Sequence, residues 1–348
     1  MSSRGGGHRF LRWLWTSRRI DARLFRLVLL PLAGLWKLAS TLRNARYDRG
    51  TAPVASLPLP TIAVGNLSVG GSGKTPVAGW VAHHFASRGL IPGILTSGYG
   101  RDEALLHQQR IPTARVIADP DRVRAARRAN EQGAQLLILD DAFQLRGVAR
   151  DYNLAVVSAE TSRAVPWPLP SGPWREGWKA LGRADGLVIT RKRASLEVAR
   201  DALRHFGALI RPGGATGIVQ LSVSRYEGLE SGKVIPAESL QGRRVVAASA
   251  IADPYAFVAQ TKATGALVQV ASWPDHHEFA DEDLAWLAKA ARKADYLIVT
   301  QKDAVKLKGR WPASIPEPLV AVLDLVWDQG ETELLRALDA VIPTEGVR

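Results

Sequence analysis

Val64-Gly65-Asn66-Leu67-Ser68-Val69-Gly70-Gly71-Ser72-Gly73-Lys74-Thr75 is the stretch from which the fold is read. The apolar run Thr61–Val64 leads into it, and Thr75–Ser87 leaves it with a helical pattern. A Gly-rich turn between a buried strand and a helix suits phosphate binding, because backbone N–H groups and a helix N-terminus then face the anion. On that reading Gly70, Gly71, Ser72 and Gly73 cradle the phosphates, Lys74 reaches the β/γ-phosphates, and Thr75 holds Mg²⁺. Ser68 stands where the strict pattern has glycine, so the match is Gly73-Lys74-Thr75 with a Gly-rich approach. The plainer alternative is a turn that only caps a helix; the flanking strand and helix favour the phosphate loop.

Outward from this loop, short apolar runs alternate with helix-like segments. Ile94–Thr96, Leu136–Leu139, Leu154–Ser158 and Leu187–Thr190 read as buried parallel strands, with a helix over Asp121–Gln132. Leu136–Leu139 runs straight into Asp140-Asp141. An apolar strand ending in acids is where P-loop proteins place a second Mg²⁺ contact, so Asp140 is a metal candidate and Asp141 a catalytic one. A second cycle follows, with strands at Val245–Ala248, Leu267–Ala271, Leu297–Thr300 and Leu319–Leu323 and helices near Pro254–Thr264 and Asp281–Lys293. Ala184–Lys192 echoes Ala294–Lys302, a weak sign of two similar lobes. The expected fold is α/β: a parallel-sheet P-loop lobe over residues 51–215, a hairpin-like linker over 216–238, and a smaller α/β lobe over 239–348.

Charge separates the beginning of the chain from the rest. The formal net charge is +13, and residues 1–50 hold eleven Lys/Arg against two acids, Asp21 and Asp48. The same segment carries Trp13, Trp15, Phe25 and Trp36 and the apolar run Leu27 to Trp36. That run falls short of the about 20 residues a spanning helix needs. A basic, aromatic, amphipathic segment suits the bilayer interface. A signal peptide and a helix packed on its own domain are the rival readings; Pro31 and Gly34 interrupt the run and disfavour the first. The absence of cysteine removes disulfides, thiolate metal sites and cysteine nucleophiles. No Asn-Lys-x-Asp guanine signature is present, which favours ATP over GTP.

These residues resemble the tetraacyldisaccharide 4′-kinase family, the lipid A 4′-kinases. The resemblance runs from Val64–Pro76 through Ser97–Glu103, Asp140–Gln144 and Leu169–Glu176. It continues in Ala250–Pro254, Pro274–His277 and Thr300–Leu307. It implies transfer of the ATP γ-phosphate to the 4′-hydroxyl of a lipid-linked glucosamine disaccharide 1-phosphate, with ATP and Mg²⁺ as cofactors. It implies a peripheral or monotopic protein on the cytoplasmic face of the inner membrane, with a glycolipid and no nucleic acid as partner. Asp102 and His276 would be the acid and histidine at the acceptor hydroxyl, with His277 the second choice. Arg122, Gln144, Arg175 and Glu176 would contact substrate or order the site. The chain departs from the family's usual residues at Ala142, Leu145, Thr96–Tyr99 and Gln301, and is short between Gly100 and Asp102. Two other readings remain at this point. One is a P-loop switch with a protein or nucleic-acid partner, its basic N-terminus binding phosphates. The other is a low-activity, membrane-binding paralogue.

Overall fold

The structure is a computed structural model that describes residues 10, 13–15, 17, 19–98 and 101–342. The chain divides into two compact units, Met1–Gln220 with Trp327–Arg348, and Leu221–Val326. Residues 327–342 therefore belong with the first unit, and the divisions fall at Gln220 and Val326 instead of at 215 and 238.

The first unit is built on parallel strands, most of them apolar on both faces, the composition that covered parallel sheets require. They are β1 (Thr61–Gly65), β2 (Pro92–Thr96), β3 (Arg115–Ala118), β4 (Leu136–Asp140), β5 (Tyr152–Ser158), β6 (Gly186–Arg191) and the first part of β7 (Ala215–Gly228). Their order is β7-β6-β5-β1-β4-β2-β3. Strand β1 is wholly buried and lies between β4 and β5, with Val64 opposite Asp140 and Leu154. The Gly-rich loop and the Asp140-Asp141 pair thus leave neighbouring strands at the same sheet edge, the carboxyl ends where open α/β sheets bind ligands. Gly65 is needed there: a Cβ would stand 2.6 Å from the Phe143 backbone nitrogen.

Helices α1 (Ile20–Val28) and α2 (Leu30–Asp48) precede the sheet. Helix α3 (Lys74–Ser87) follows the Gly-rich loop, α4 (Arg101–Arg110) follows β2, α5 (Arg122–Glu131) follows β3, and α6 (Leu196–Gly207) follows β6. Ala125, Ala126 and Ala129 of α5 pack against Leu95, Leu137 and Leu139. Farther along the same sheet face, Phe206 of α6 packs with Leu187, Ile189 and Trp174. In the returning segment, Trp327 packs tilted against Trp80 of α3 at 4.6 Å between ring centroids. Glu331 accepts from Trp80 Nε1 at 3.2 Å, and Asp339 meets His84 Nε2 at 2.7 Å. The helix that begins with Lys74 is thereby braced along its outer side.

Glu160, after β5, accepts hydrogen bonds from the backbone N–H groups of Lys192, Arg193 and Ala194 at 2.7, 2.9 and 3.1 Å. Burial would raise its pKa, but these donors and the Ser158 hydroxyl outweigh it and hold the carboxyl at about 2. A pKa held below the ordinary value gives stability that is complete above that value and lost as pH falls through the folded one. Glu160→Gln is expected to lower Tm at pH 7. The gap to the wild type should close between about pH 4.5 and pH 2. A gap that stays constant over that range in thermal melts would contradict this role.

The second unit holds β9 (Arg244–Ser249), β10 (Leu267–Ser272), β11 (Tyr296–Thr300) and, as far as Val326, β12 (Leu319–Gln329), in the parallel order β10-β9-β11-β12. Helices α7 (Pro254–Ala263), α8 (Asp281–Lys293) and α9 (Gln301–Leu307) connect them. The end of β7 pairs antiparallel with β8 (Val234–Ile235), through Tyr226 opposite Ile235. Leu287 and Ala291 of α8 cover Val246, Ala248 and Val299 on one face, while Phe257 of α7 covers Val245, Ala247 and Ile298 on the other. Helix α10 (Glu331–Asp339) ends the described fold in the first unit.

Candidate active site

Gly73 caps α3 in the left-handed region at φ 87°, so the chain turns directly from the loop into the helix that opens with Lys74 and Thr75. The loop is held from three sides. Asn66 Nδ2 donates to Ser72 Oγ at 2.6 Å. From the end of β6, Thr190 Oγ1 donates to the Ser72 carbonyl at 2.6 Å, and Lys192 Nζ to the Gly71 carbonyl at 2.8 Å. Val69 N–H donates to the Pro173 carbonyl at 2.7 Å. Ties of this kind to the Gly71 and Ser72 carbonyls fix the loop's path, the form in which backbone N–H groups can gather round an anion.

The acids stand beside it. Asp140 is 1% exposed, and its Oδ2 accepts from His107 Nε2 at 3.0 Å. Burial works against the Asp140 carboxylate, but His107, the charge of Lys74 and the Thr75 hydroxyl outweigh it and keep its pKa below the usual value. Asp140 Oδ1 is buried with no hydrogen-bond partner among the described residues. A buried anionic oxygen left without a donor is costly, and one beside a P-loop threonine is suited to a cation. The residues therefore fit Mg²⁺, and Asp140 and Thr75 are the ones that would hold it.

Glu103 joins this group by accepting from Thr75 Oγ1 at 3.4 Å. Asp102, its neighbour, is 1% exposed and accepts from the Glu103 N–H at 3.0 Å. The structure thus places Asp102 one residue from a direct contact with the P-loop threonine. Glu103 and His107 lie four apart on α4, one turn of one face.

Asp141 adopts φ 57°, uncommon for a non-glycine residue. It is fixed by a two-pronged ion pair: Arg175 Nη1 and Nη2 reach its two oxygens at 2.8 and 3.1 Å. Lys74 Nζ lies 3.8 Å from Asp141 Oδ2. Arg175 Nη1 also donates to Gln144 Oε1 at 3.2 Å, and Gln144 Nε2 to the Asn66 carbonyl at 2.7 Å. Lys74, Asp141, Arg175, Gln144 and Asn66 close a ring around the loop.

Glu176 and Arg122 stand differently. Glu176 is buried and paired with Arg183 at 2.5 Å and with Arg43 of α2 at 3.4 Å. Arg122 is 5% exposed; its Nη1 donates to the carbonyls of Thr96 and Asp119, both at 2.5 Å. Burial lowers its pKa, opposed by Asp140 and Asp141. This geometry makes Arg122 a residue that orders the end of β2, and Glu176 one that ties the 170–176 segment to α2. Trp36 Nε1 adds a bond to the Arg175 carbonyl at 3.2 Å.

In the second unit the two adjacent histidines separate clearly. His277 Nε2 pairs with Asp283 Oδ2 at 2.8 Å. Asp283 also accepts from the Ala280 N–H and from Trp273 Nε1, both at 2.9 Å. His277 belongs to an aromatic cluster with Trp273 and Phe279. His276 instead sits at φ 58°, its N–H on the Ala250 carbonyl at 3.2 Å and its Nε2 3.7 Å from Asp275 Oδ2. His277 is engaged in structure, and His276 occupies a strained turn of the kind found at functional sites.

Reading the sequence missed His107, Thr190 and Lys192. Their contacts span 33, 118 and 121 residues. For His107 alone, the spacing of four from Glu103 on a helix following Asp102 was a usable clue.

A loop of this build at the carboxyl end of a central parallel strand, with acids on the adjacent strand, defines a P-loop nucleotide-binding protein. The family profile for tetraacyldisaccharide-1-P 4′-kinase matches residues 25–103 and 101–343. A tetraacyldisaccharide 4′-kinase of Anaeromyxobacter dehalogenans strain 2CP-C is 36% identical over 337 residues, covering 88% of this chain and 86% of its own length. That of Bdellovibrio bacteriovorus is 30% identical, covering 81% and 90%. A crystal structure of LpxK from Aquifex aeolicus in complex with ATP superposes with a TM-score of 0.72 at 26% identity, over 92% of this chain and all of that one. The chain belongs to the tetraacyldisaccharide 4′-kinase family.

Proposed function

We propose that the protein transfers the γ-phosphate of ATP to the 4′-hydroxyl of a tetraacyldisaccharide 1-phosphate. The observation that carries this reading is the ring of Lys74, Asp141, Arg175 and Gln144 around a P-loop in a chain of this family. Phosphoryl transfer asks a protein mainly for positioning and charge neutralisation. Lys74 supplies the mobile charge. Its 3.8 Å contact to Asp141 is long and partly exposed, so exchanging it for a phosphate oxygen costs little. Arg175 keeps Asp141 in place while Lys74 leaves. Mg²⁺, if bound here, would supply charge neutralisation for the transferring phosphoryl group. Asp140 and Thr75 would hold it, and His107 orients Asp140 through the 3.0 Å hydrogen bond. Asp102 and His276 are assigned to the proton of the acceptor hydroxyl, a poor nucleophile at neutral pH. ATP turnover that rises with added glycolipid supports the assignment; turnover that rises only with added nucleic acid would replace it with the switch reading.

Because the partner of a ligating carboxylate typically sets metal affinity by about 10–100-fold, His107→Ala is expected to weaken Mn²⁺ binding by about 10-fold. Nucleotide binding in EDTA should be unchanged. Direct titration of bound Mn²⁺ by electron paramagnetic resonance measures this, and an unchanged affinity would remove His107 from the metal's support.

The membrane reading rests on α1 and α2. Among the described residues no single helix is long and apolar enough to span a bilayer, although α1 and α2, bent by 51°, meet the length and composition of a broken span together. Ile20, Leu24, Phe25, Leu27, Val28, Leu35 and Leu42 are exposed, interleaved with Arg23, Arg26, Lys37 and Arg43. Such a surface suits a peripheral or monotopic seat on the cytoplasmic face of the inner membrane, with each basic residue contributing about 1 kcal/mol at an anionic surface. Removing residues 1–49 is expected to weaken co-sedimentation with anionic vesicles, and salt should weaken binding of the full chain. Equal binding by both forms would place the docking surface elsewhere.

A further inference from the structure

We propose that Asp303 and Lys306 are positioning residues for His276, holding its turn through the backbone of Ala250 and His277. The inference rests on the reading of His276 as the histidine that serves the acceptor hydroxyl.

Three chain segments of the second unit meet here. Asp303 lies on α9 and is 0% exposed. Its Oδ2 accepts from the Ala250 N–H at 3.1 Å and from Thr300 Oγ1 at 2.6 Å. Ala250 then uses its carbonyl to accept from the His276 N–H at 3.2 Å. One residue, Ala250, therefore carries the constraint from the Asp303 carboxylate to the histidine backbone. One turn along α9, Lys306 Nζ donates to the His277 carbonyl at 3.1 Å. The histidine pair is held at the first residue's nitrogen, through Ala250, and at the second residue's oxygen, directly, with one helix behind both contacts.

The cost of this arrangement argues for a purpose. Burial raises the pKa of Asp303, Thr300 and Lys306 opposing it. Its Oδ1 is buried with no hydrogen-bond partner among the described residues. An apolar residue would fill such a core position more cheaply. His276 is itself held at φ 58°, a conformation that persists only where surroundings over-determine it. Asp303 and Lys306 provide that over-determination. The Thr300–Lys306 stretch is thereby read as a support for the histidine turn, with Thr300 fixing the carboxylate from the helix start, where its Oγ1 also accepts from the Asp303 N–H at 3.3 Å.

A misplacement of about 1 Å can cost on the order of 10²-fold in rate. Asp303→Ala should lower kcat by about 10-fold or more without changing KM for ATP. Asp303→Asn, which keeps an oxygen for the Ala250 N–H, should recover most of it. The test measures kcat for wild type, Asp303→Ala, His276→Ala and the double variant, together with the ring resonances of His276 by NMR in wild type and Asp303→Ala. The expected result is a kcat loss for Asp303→Ala that disappears in the His276→Ala background, and a displaced His276 resonance. Losses that multiply, or a His276 resonance that does not move, would overturn the proposal. A harmless His276→Ala would overturn the assignment of His276 itself, and the resonance would still decide whether Asp303 positions it. Should Asp303→Ala fail to fold, Lys306→Gln carries the same cycle, with the same two outcomes deciding it.

Discussion

Lys74→Ala abolishes detectable phosphoryl transfer, a loss on the order of 10³-fold or more, and leaves circular dichroism and Tm close to the wild type. The size follows from the role: a charge aimed at the transferring phosphoryl group is among the largest single contributions in this chemistry. The fold survives because little else depends on the side chain. Its described ion-pair partner is Asp141 at 3.8 Å, and Asp141 keeps both bonds to Arg175. A partly exposed pair of that length stabilises by at most about 1 kcal/mol. Nucleotide affinity should fall as well. A variant with near wild-type turnover would remove the P-loop assignment, and one that loses its secondary structure would show that Lys74 is structural.

His276→Ala and His277→Ala have opposite signatures. His276→Ala is expected to lower kcat by about 10²–10⁴-fold, the range of a positioned acid–base group, with Tm nearly unchanged. His277→Ala removes the 2.8 Å bond to Asp283 and the packing against Trp273 and Phe279. It should lower stability by about 1–3 kcal/mol and reduce kcat far less. Burial would raise the pKa of Asp283, but His277, Ala280 and Trp273 together hold it below its ordinary value. A partner of that kind marks His277 as a structural hydrogen-bonding group. Kinetics and thermal melts on the two variants decide the matter; a catalytic loss confined to His277→Ala would exchange the two roles.

The elements that were legible in the sequence are those whose signal is local. The P-loop reads from strand, glycines and helix within fifteen residues of chain, and the Asp140-Asp141 pair reads from one apolar run. Strands β1, β2, β4, β5 and β6 announce themselves because both faces are buried. Strand β3 does not, since only Ile117 of its four residues is buried, and polar α4 shows no apolar stripe. The site's supports are illegible for a different reason: they are pairwise contacts across long loops. Nothing near Lys192 says that its ammonium lies on the Gly71 carbonyl, and nothing near Trp327 says that the chain returns to pack on Trp80. The echo between Ala184–Lys192 and Ala294–Lys302 illustrates the limit. Both strands carry a threonine at or next to their last residue, yet Thr190 holds the P-loop while Thr300 holds Asp303.

The central claim is the transfer itself. Incubation of the full chain with γ-labelled ATP, Mg²⁺ and tetraacyldisaccharide 1-phosphate, followed by mapping of the label on the lipid product, tests it most directly. The account predicts label on the 4′-oxygen of the disaccharide, dependent on Lys74. Label recovered only as inorganic phosphate, or on any other hydroxyl, would contradict it.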